Sequence, residues 1–137
     1  MPLILTRDNI RLGNIVQSET GTEIGYCRKS VVVREAAATT YKLGEVLGKV
    51  TATGKYVRLA PAASDGSQNF AGVFIGSDES FDPDNLVVPA TTDKTAVVLY
   101  RGRAGLFKQM LRWPVGITQP QKDAAYVQMD TVGFKLI

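Results

Sequence analysis

The chain contains no histidine. That removes the commonest general base, the commonest zinc ligand and every Ser-His-Asp or Cys-His arrangement at once. A single cysteine, Cys27, allows neither an intrachain disulfide nor a zinc ribbon, and it reads as a structural thiol. No apolar run approaches the ~18 residues that a membrane span needs. Met1 to Leu5 is apolar, but it meets Arg7 and Asp8 too soon to form the core of a signal peptide, so the chain is expected to stay in the cytoplasm where it is made. Charge of one sign is also scarce. Sixteen Lys and Arg against thirteen Asp and Glu leave a net charge of +3. The basic residues are scattered, with Arg28-Lys29 and Arg101-Gly102-Arg103 the densest pieces. A nucleic-acid binder usually concentrates such charge into one stripe, so neither nucleic acid nor membrane is expected as a partner. Glycines are present without a phosphate-binding fingerprint, because Gly48-Lys49-Val50 lacks the Ser or Thr that follows the Lys of a P-loop.

What is there points to a β-rich domain. At 137 residues, 45% of them hydrophobic, the chain is long enough for one core and calls for no second one. Between Tyr41 and Ile75 three short apolar runs alternate with turn-forming clusters, the pattern of a β-meander. Val46 to Ala52 reads as a strand, Thr53-Gly54 as a turn and Lys55 to Leu59 as the return strand, ended by Pro61. Ser64-Asp65-Gly66-Ser67 is a turn whose short polar side chains can bond to their own backbone, and Phe70 to Ile75 resumes as a strand. Further strands are expected at Val31 to Val33, Leu86 to Val88, Thr95 to Tyr100 and Phe134 to Ile137. Glu35 to Thr40 admits a loop or a helical turn.

Two stretches suggest helix. Leu106, Phe107, Met110 and Leu111 form an apolar stripe over two turns, closed by Pro114. Gln119 to Asp130 opens with an early Pro120, and Ala124, Val127 and Gln128 would share a face; a loop and strand around Tyr126 to Met129 competes with that helix. Phe107 and Leu111 are expected in the core, while Trp113 at the end of its stripe could instead anchor a subunit interface.

Residues 1 to 25 hold apolar pieces too short to make their own core. They read either as edge strands or as an extended arm that orders on a partner, and their content of Ile, Leu and Val favours the arm. The domain proper is then 26 to 137. Asp78, Glu79, Asp82 and Asp84 crowd one turn-rich stretch, but without the Gly and Glu positions of an EF-hand loop, so a solvated loop is expected there and no metal site. Ser64 and Ser67 have no base to activate them. An enzyme built on a pair among Glu45, Asp65, Asp78 and Asp82 is the weakest of three functional readings, since no catalytic residue or cofactor is identified.

The run GEVLGKVTATGKYVRLAPAASDGSQNFAGVFI resembles the central segment of the lambda-type bacteriophage head decoration proteins, capsid-stabilising proteins of the virion. Val-Leu-Gly-Lys, Thr-Gly-Lys-Tyr, Pro-Ala-Ala-Ser-Asp-Gly-Ser-Gln and Gly-Val stand in the same order, and the likeness continues more weakly through Ala96 to Gly102 and the closing Gly133 to Ile137. The resemblance implies a small β-rich protein, mainly β with short helices. As a partly closed barrel or sandwich on the central meander, it would trimerise on the outer surface of a phage capsid and cement the major capsid protein. It also implies an N-terminal arm that adds a strand to the capsid protein. On that reading Leu3, Leu5, Ile10, Leu12 and Ile15 are the capsid-binding side chains, and Phe107, Trp113 and Pro114 are expected at the trimer interface. A small β-barrel nucleic-acid-binding module is the alternative.

Overall fold

The structure is a computed structural model, and it describes residues 27–77 and 85–137 together with the backbone of 16–19. Among the described residues the chain forms ten strands, β1 (Val16–Glu19), β2 (Arg28–Val33), β3 (Thr39–Lys42), β4 (Val46–Lys49), β5 (Tyr56–Arg58), β6 (Gly72–Gly76), β7 (Asn85–Val88), β8 (Lys94–Leu99), β9 (Ala104–Leu106) and β10 (Phe134–Leu136), and one α-helix, α1 (Gln119–Thr131). The fold is mainly β, as the sequence indicates, and the barrel is fully closed. Its strand order is β2-β5-β4-β6-β8, with β8 returning antiparallel to β2.

Alternation sets the register of the closing pair. In β2, Val31 and Val33 point into the core while Val32 is 41% exposed; on β8, Ala96 opposite Val31 and Val98 opposite Lys29 are fully buried. A one-residue slip would turn every one of these side chains outward, so the register is strongly specified. Phe74 fills the middle of the barrel against Tyr41, ring centroids 5.7 Å apart. Tyr41 belongs to β3, which pairs with β7 as a two-stranded ribbon beside the barrel. A third sheet, β1-β9-β10, lies under α1.

The central hairpin differs from a simple meander in two ways. The first strand ends at Lys49 rather than Ala52, and a turn through Thr51 to Gly54 takes over, with Gly54 at φ +71°. The third strand, β6, pairs with β4 and not with β5. The linker between β5 and β6 folds back over β4: Thr51 N–H donates to Asp65 O (2.9 Å), and Ala71 N–H to Leu47 O (2.8 Å). Gly48 makes that crossing possible, since a Cβ there would lie 2.2 Å from the carbonyl oxygen of Ser67. Val46, Leu47 and Gly48 are consequently all buried, both faces of β4 being covered.

The helix expected over Leu106 to Trp113 is absent. Leu106 ends β9, Phe107 is extended, Lys108–Met110 form a single 3-10 turn and Leu111 is extended again. The stripe at i and i+4 is outweighed by strand-like bonding: Arg112 N–H donates to Gly44 O (2.8 Å), and Val46 N–H to Arg112 O (3.1 Å). Leu111 is in the core, as expected, whereas Phe107 is only half-buried. The second helical stretch is real. Thr118 and Gln121 cap it reciprocally, side chain to backbone in each direction, and Pro120 sits in its first turn, where a missing N–H costs nothing. It buries Ala125 and Met129 rather than the expected face of Ala124, Val127 and Gln128; Val127 is two-thirds exposed.

Candidate functional site

The expected arm residues Leu3, Leu5, Ile10, Leu12 and Ile15 lie outside the described residues. The chain comes into description at β1, paired antiparallel to β9 with Val16 opposite Leu106 and Glu19 opposite Ala104. On the far side of β9, β10 runs parallel. Among the described residues β1 has one neighbour and is an edge strand of its sheet.

Trp113 is half-buried, its ring edge-on to Tyr126 of α1 at 5.5 Å and 81°. Pro114 is also half-buried and accepts from Ile117 N–H at 3.3 Å. Beside Trp113 opens a surface cavity of about 350 Å³, formed by Lys108, Gln109 and Leu111 on one segment and Gln119, Lys122 and Tyr126 on the helix. Lys108 Nζ stands 5.1 Å from the Tyr126 ring centroid, and Lys122 Nζ 6.0 Å from that of Trp113. Burial, aided by the Asp123 charge, raises the Tyr126 phenol above its ordinary pKa, so it stays a neutral donor. Of this group the sequence singled out Leu111 for the core and only Trp113 for an interface. Lys122 and Tyr126, four apart on one helix, carried the missed signal.

Among the described residues, Glu45 and Asp65 are each held by separate partners. Glu45 is buried and bonded to Arg58 Nη2 at 3.1 Å. Asp65 is spent within its turn, accepting from the backbone N–H and hydroxyl of Ser67, and those bonds lower its pKa. Asp78 and Asp82 lie outside the described residues. No three His, Cys, Asp or Glu side chains among the described residues could hold a metal ion. The basic residue Lys29 is turned onto the chain's own rings, 4.3 Å from Tyr100 and 5.6 Å from Tyr56.

A family model described as bacteriophage lambda head decoration protein D matches residues 6–134. The chain belongs to that family. The match takes in the barrel, β1, β9, α1 and most of the stretch ahead of β1, and it ends at Phe134, the first residue of β10. Membership gives this decoration protein a structural role at the capsid of a phage head and a place in the virion. No curated protein matches the sequence.

The polar network inside this family member is architectural. Glu35 accepts from the Tyr41 hydroxyl and, at 2.8 Å, from the Arg58 backbone N–H; Arg58 Nη2 also donates to Thr40 O at 3.2 Å. Burial, next to the Glu35 carboxylate, keeps the Tyr41 phenol protonated, so it remains the donor. Burial also raises the Glu45 pKa, against the opposing pull of Arg58. The folded state therefore takes up this proton more readily than the unfolded chain does. The resulting stability is fully present below the ordinary Glu pKa of about 4.3 and is lost as pH rises through the folded value. Glu45→Gln removes that dependence. The stability of the Gln variant relative to wild type should accordingly increase as pH rises from acid to neutral, read by urea unfolding across a pH series. The lowered pKa values of Asp65 and Asp93 act in the opposite sense but cancel in the comparison. A difference that stays flat, or that falls with pH, would contradict the buried-carboxylate account.

Proposed function

We propose that the protein binds the outer surface of the expanded phage head as a cyclic trimer at three-fold sites, bridging neighbouring major capsid subunits and stabilising the shell. The observation that carries this reading is the family match over residues 6–134. The place of β1 at the edge of the β1-β9-β10 sheet supports it, because an extended segment gains most by adding main-chain hydrogen bonds to another sheet edge while seating alternate side chains. Leu3, Leu5, Ile10, Leu12 and Ile15 are the side chains seated on the capsid. Phe107, Trp113 and Pro114, all half-buried, lie at the contact between copies, where aromatic residues are enriched. A trimer whose interfaces bury only about 1,200 Å², the small end of stable interfaces, is monomeric when free and trimeric on the shell.

The test is image reconstruction of shells assembled without decoration protein and then saturated with this chain. Added density should cap the three-fold sites on the outer face as three copies of the barrel. Density confined to the inner face, or single copies away from the three-fold axes, would overturn the reading.

A further inference from the structure

We infer that the cavity between the 3-10 turn and α1 receives an acidic segment of a second copy of this chain. This rests on the trimer reading above and names the contact that would hold the trimer together. Two ammonium groups, Lys108 and Lys122, flank two aromatic rings, and among the described residues neither has a carboxylate within ion-pair distance. The nearby carboxylate of Asp123 is held by Gln119 Nε2 at 2.9 Å, and no acidic residue lines the cavity. Such a site favours carboxylates presented with a ring or other apolar group: the cations take the charge and the rings take the apolar part. About 350 Å³ is room for a few side chains, not for a folded element.

The complementary chemistry is in the same sequence. Asp78, Glu79, Asp82 and Asp84 surround Phe81 and Pro83, an acidic stretch in a chain whose net charge is +3. A contact between two different patches, cavity on one copy and segment on the next, is heterologous, and it closes into a ring when the rotation is three-fold. Opposite charge at both ends of that contact would also oppose misaligned pairing, since the cavity then faces only the acidic stretch.

The full-length chain provides the test. Lys108→Glu with Lys122→Glu reverses the cavity, and Asp82→Lys with Asp84→Lys reverses the segment. Each pair should weaken trimer formation by roughly ten-fold or more, followed by shell occupancy and by sedimentation at protein concentrations high enough for a weak interface to associate. Combining all four should restore it to within a few-fold. Far-UV spectra and melting of each variant verify that the barrel is intact. In a separate variant, Gln109→Cys with Asp82→Cys should cross-link one chain to another on oxidation; Cys27 is buried and stays out of the exchange. Reversals without effect, no recovery in the four-fold variant, or a cross-link within one chain would each overturn the inference. Wild-type protein that caps three-fold sites while the reversals do nothing sinks the cavity contact alone. Wild-type protein that leaves the shells bare sinks the proposed function, and the cross-link in solution still decides the cavity contact.

Discussion

Deleting residues 1 to 15 should leave the barrel folded and remove most of the affinity for the shell. The truncation stops short of β1, so the pairing of Val16–Glu19 with β9 is retained, and the core residues of the barrel are untouched. Far-UV spectra and melting temperature should therefore change little. Binding should fall by ~100-fold or more, because losing even two seated Leu or Ile side chains at about 1.5 kcal/mol each corresponds to that factor. Ordering each residue of an extended segment costs roughly 1 to 2 kcal/mol of backbone entropy, so only a partner surface makes its order favourable. Co-sedimentation of truncated and full-length protein with undecorated shells measures the difference. A truncated protein that still saturates the shell at the same concentration would place the binding in the globular body.

Gly48→Ala is expected to be the most damaging methyl group that can be added to the barrel. The new Cβ would sit 2.2 Å from the Ser67 carbonyl oxygen and 2.8 Å from its carbonyl carbon and Cα, all backbone atoms. Ser67 cannot simply retreat. Its carbonyl accepts from Ala60 N–H at 2.9 Å, and its amide and hydroxyl are both held by Asp65. Either the linker lifts off β4, exposing Leu47 and Val46, or the strand shifts and breaks its pairing with β5 and β6. A loss of about 3 kcal/mol or more follows, a large part of the roughly 5 to 15 kcal/mol that holds an ordinary domain together. Gly116→Ala isolates the other role of glycine. Nothing lies within 4 Å of its added Cβ, but φ is +84°, so its cost is conformational alone, about 1 kcal/mol. Urea unfolding of both variants should rank Gly48→Ala well above Gly116→Ala. Equal or negligible losses would mean that the linker over β4 is not tightly seated.

The strands of the barrel were legible as short β-branched and apolar runs between turn-forming clusters. The β-branched run Val31 to Val33 marks β2 as a strand, but its inward face is not readable from three like residues, and only the structure separates buried Val31 and Val33 from exposed Val32. The order of the strands was not legible, because it depends on a linker crossing β4, and Gly48 announces that crossing only once Ser67 is known to lie above it. The stripe from Leu106 to Leu111 was misread as helix for a related reason. Spacing at i and i+4 fits a helix, but Leu106 is buried in β9 and Leu111 beside β4, two different contacts that the spacing cannot separate. For α1 the sequence offered Pro120 in the first turn, and the capping pair of Thr118 with Gln121, seen in the structure, is the local signal that decides for helix over the competing loop and strand. At the candidate surface the sequence singled out Trp113, an aromatic residue ahead of a proline. Its cavity partners Lys108, Lys122 and Tyr126 are ordinary residues until the fold brings them around it.

The rupture temperature of the shell tests the structural role most directly. Expanded shells lacking any decoration protein are heated with and without saturating amounts of this chain, and release of their contents is followed. Decorated shells should break at a distinctly higher temperature and resist chelator longer, and the gain should follow occupancy as the protein is titrated. Shells that break at the same temperature with every site filled would contradict it.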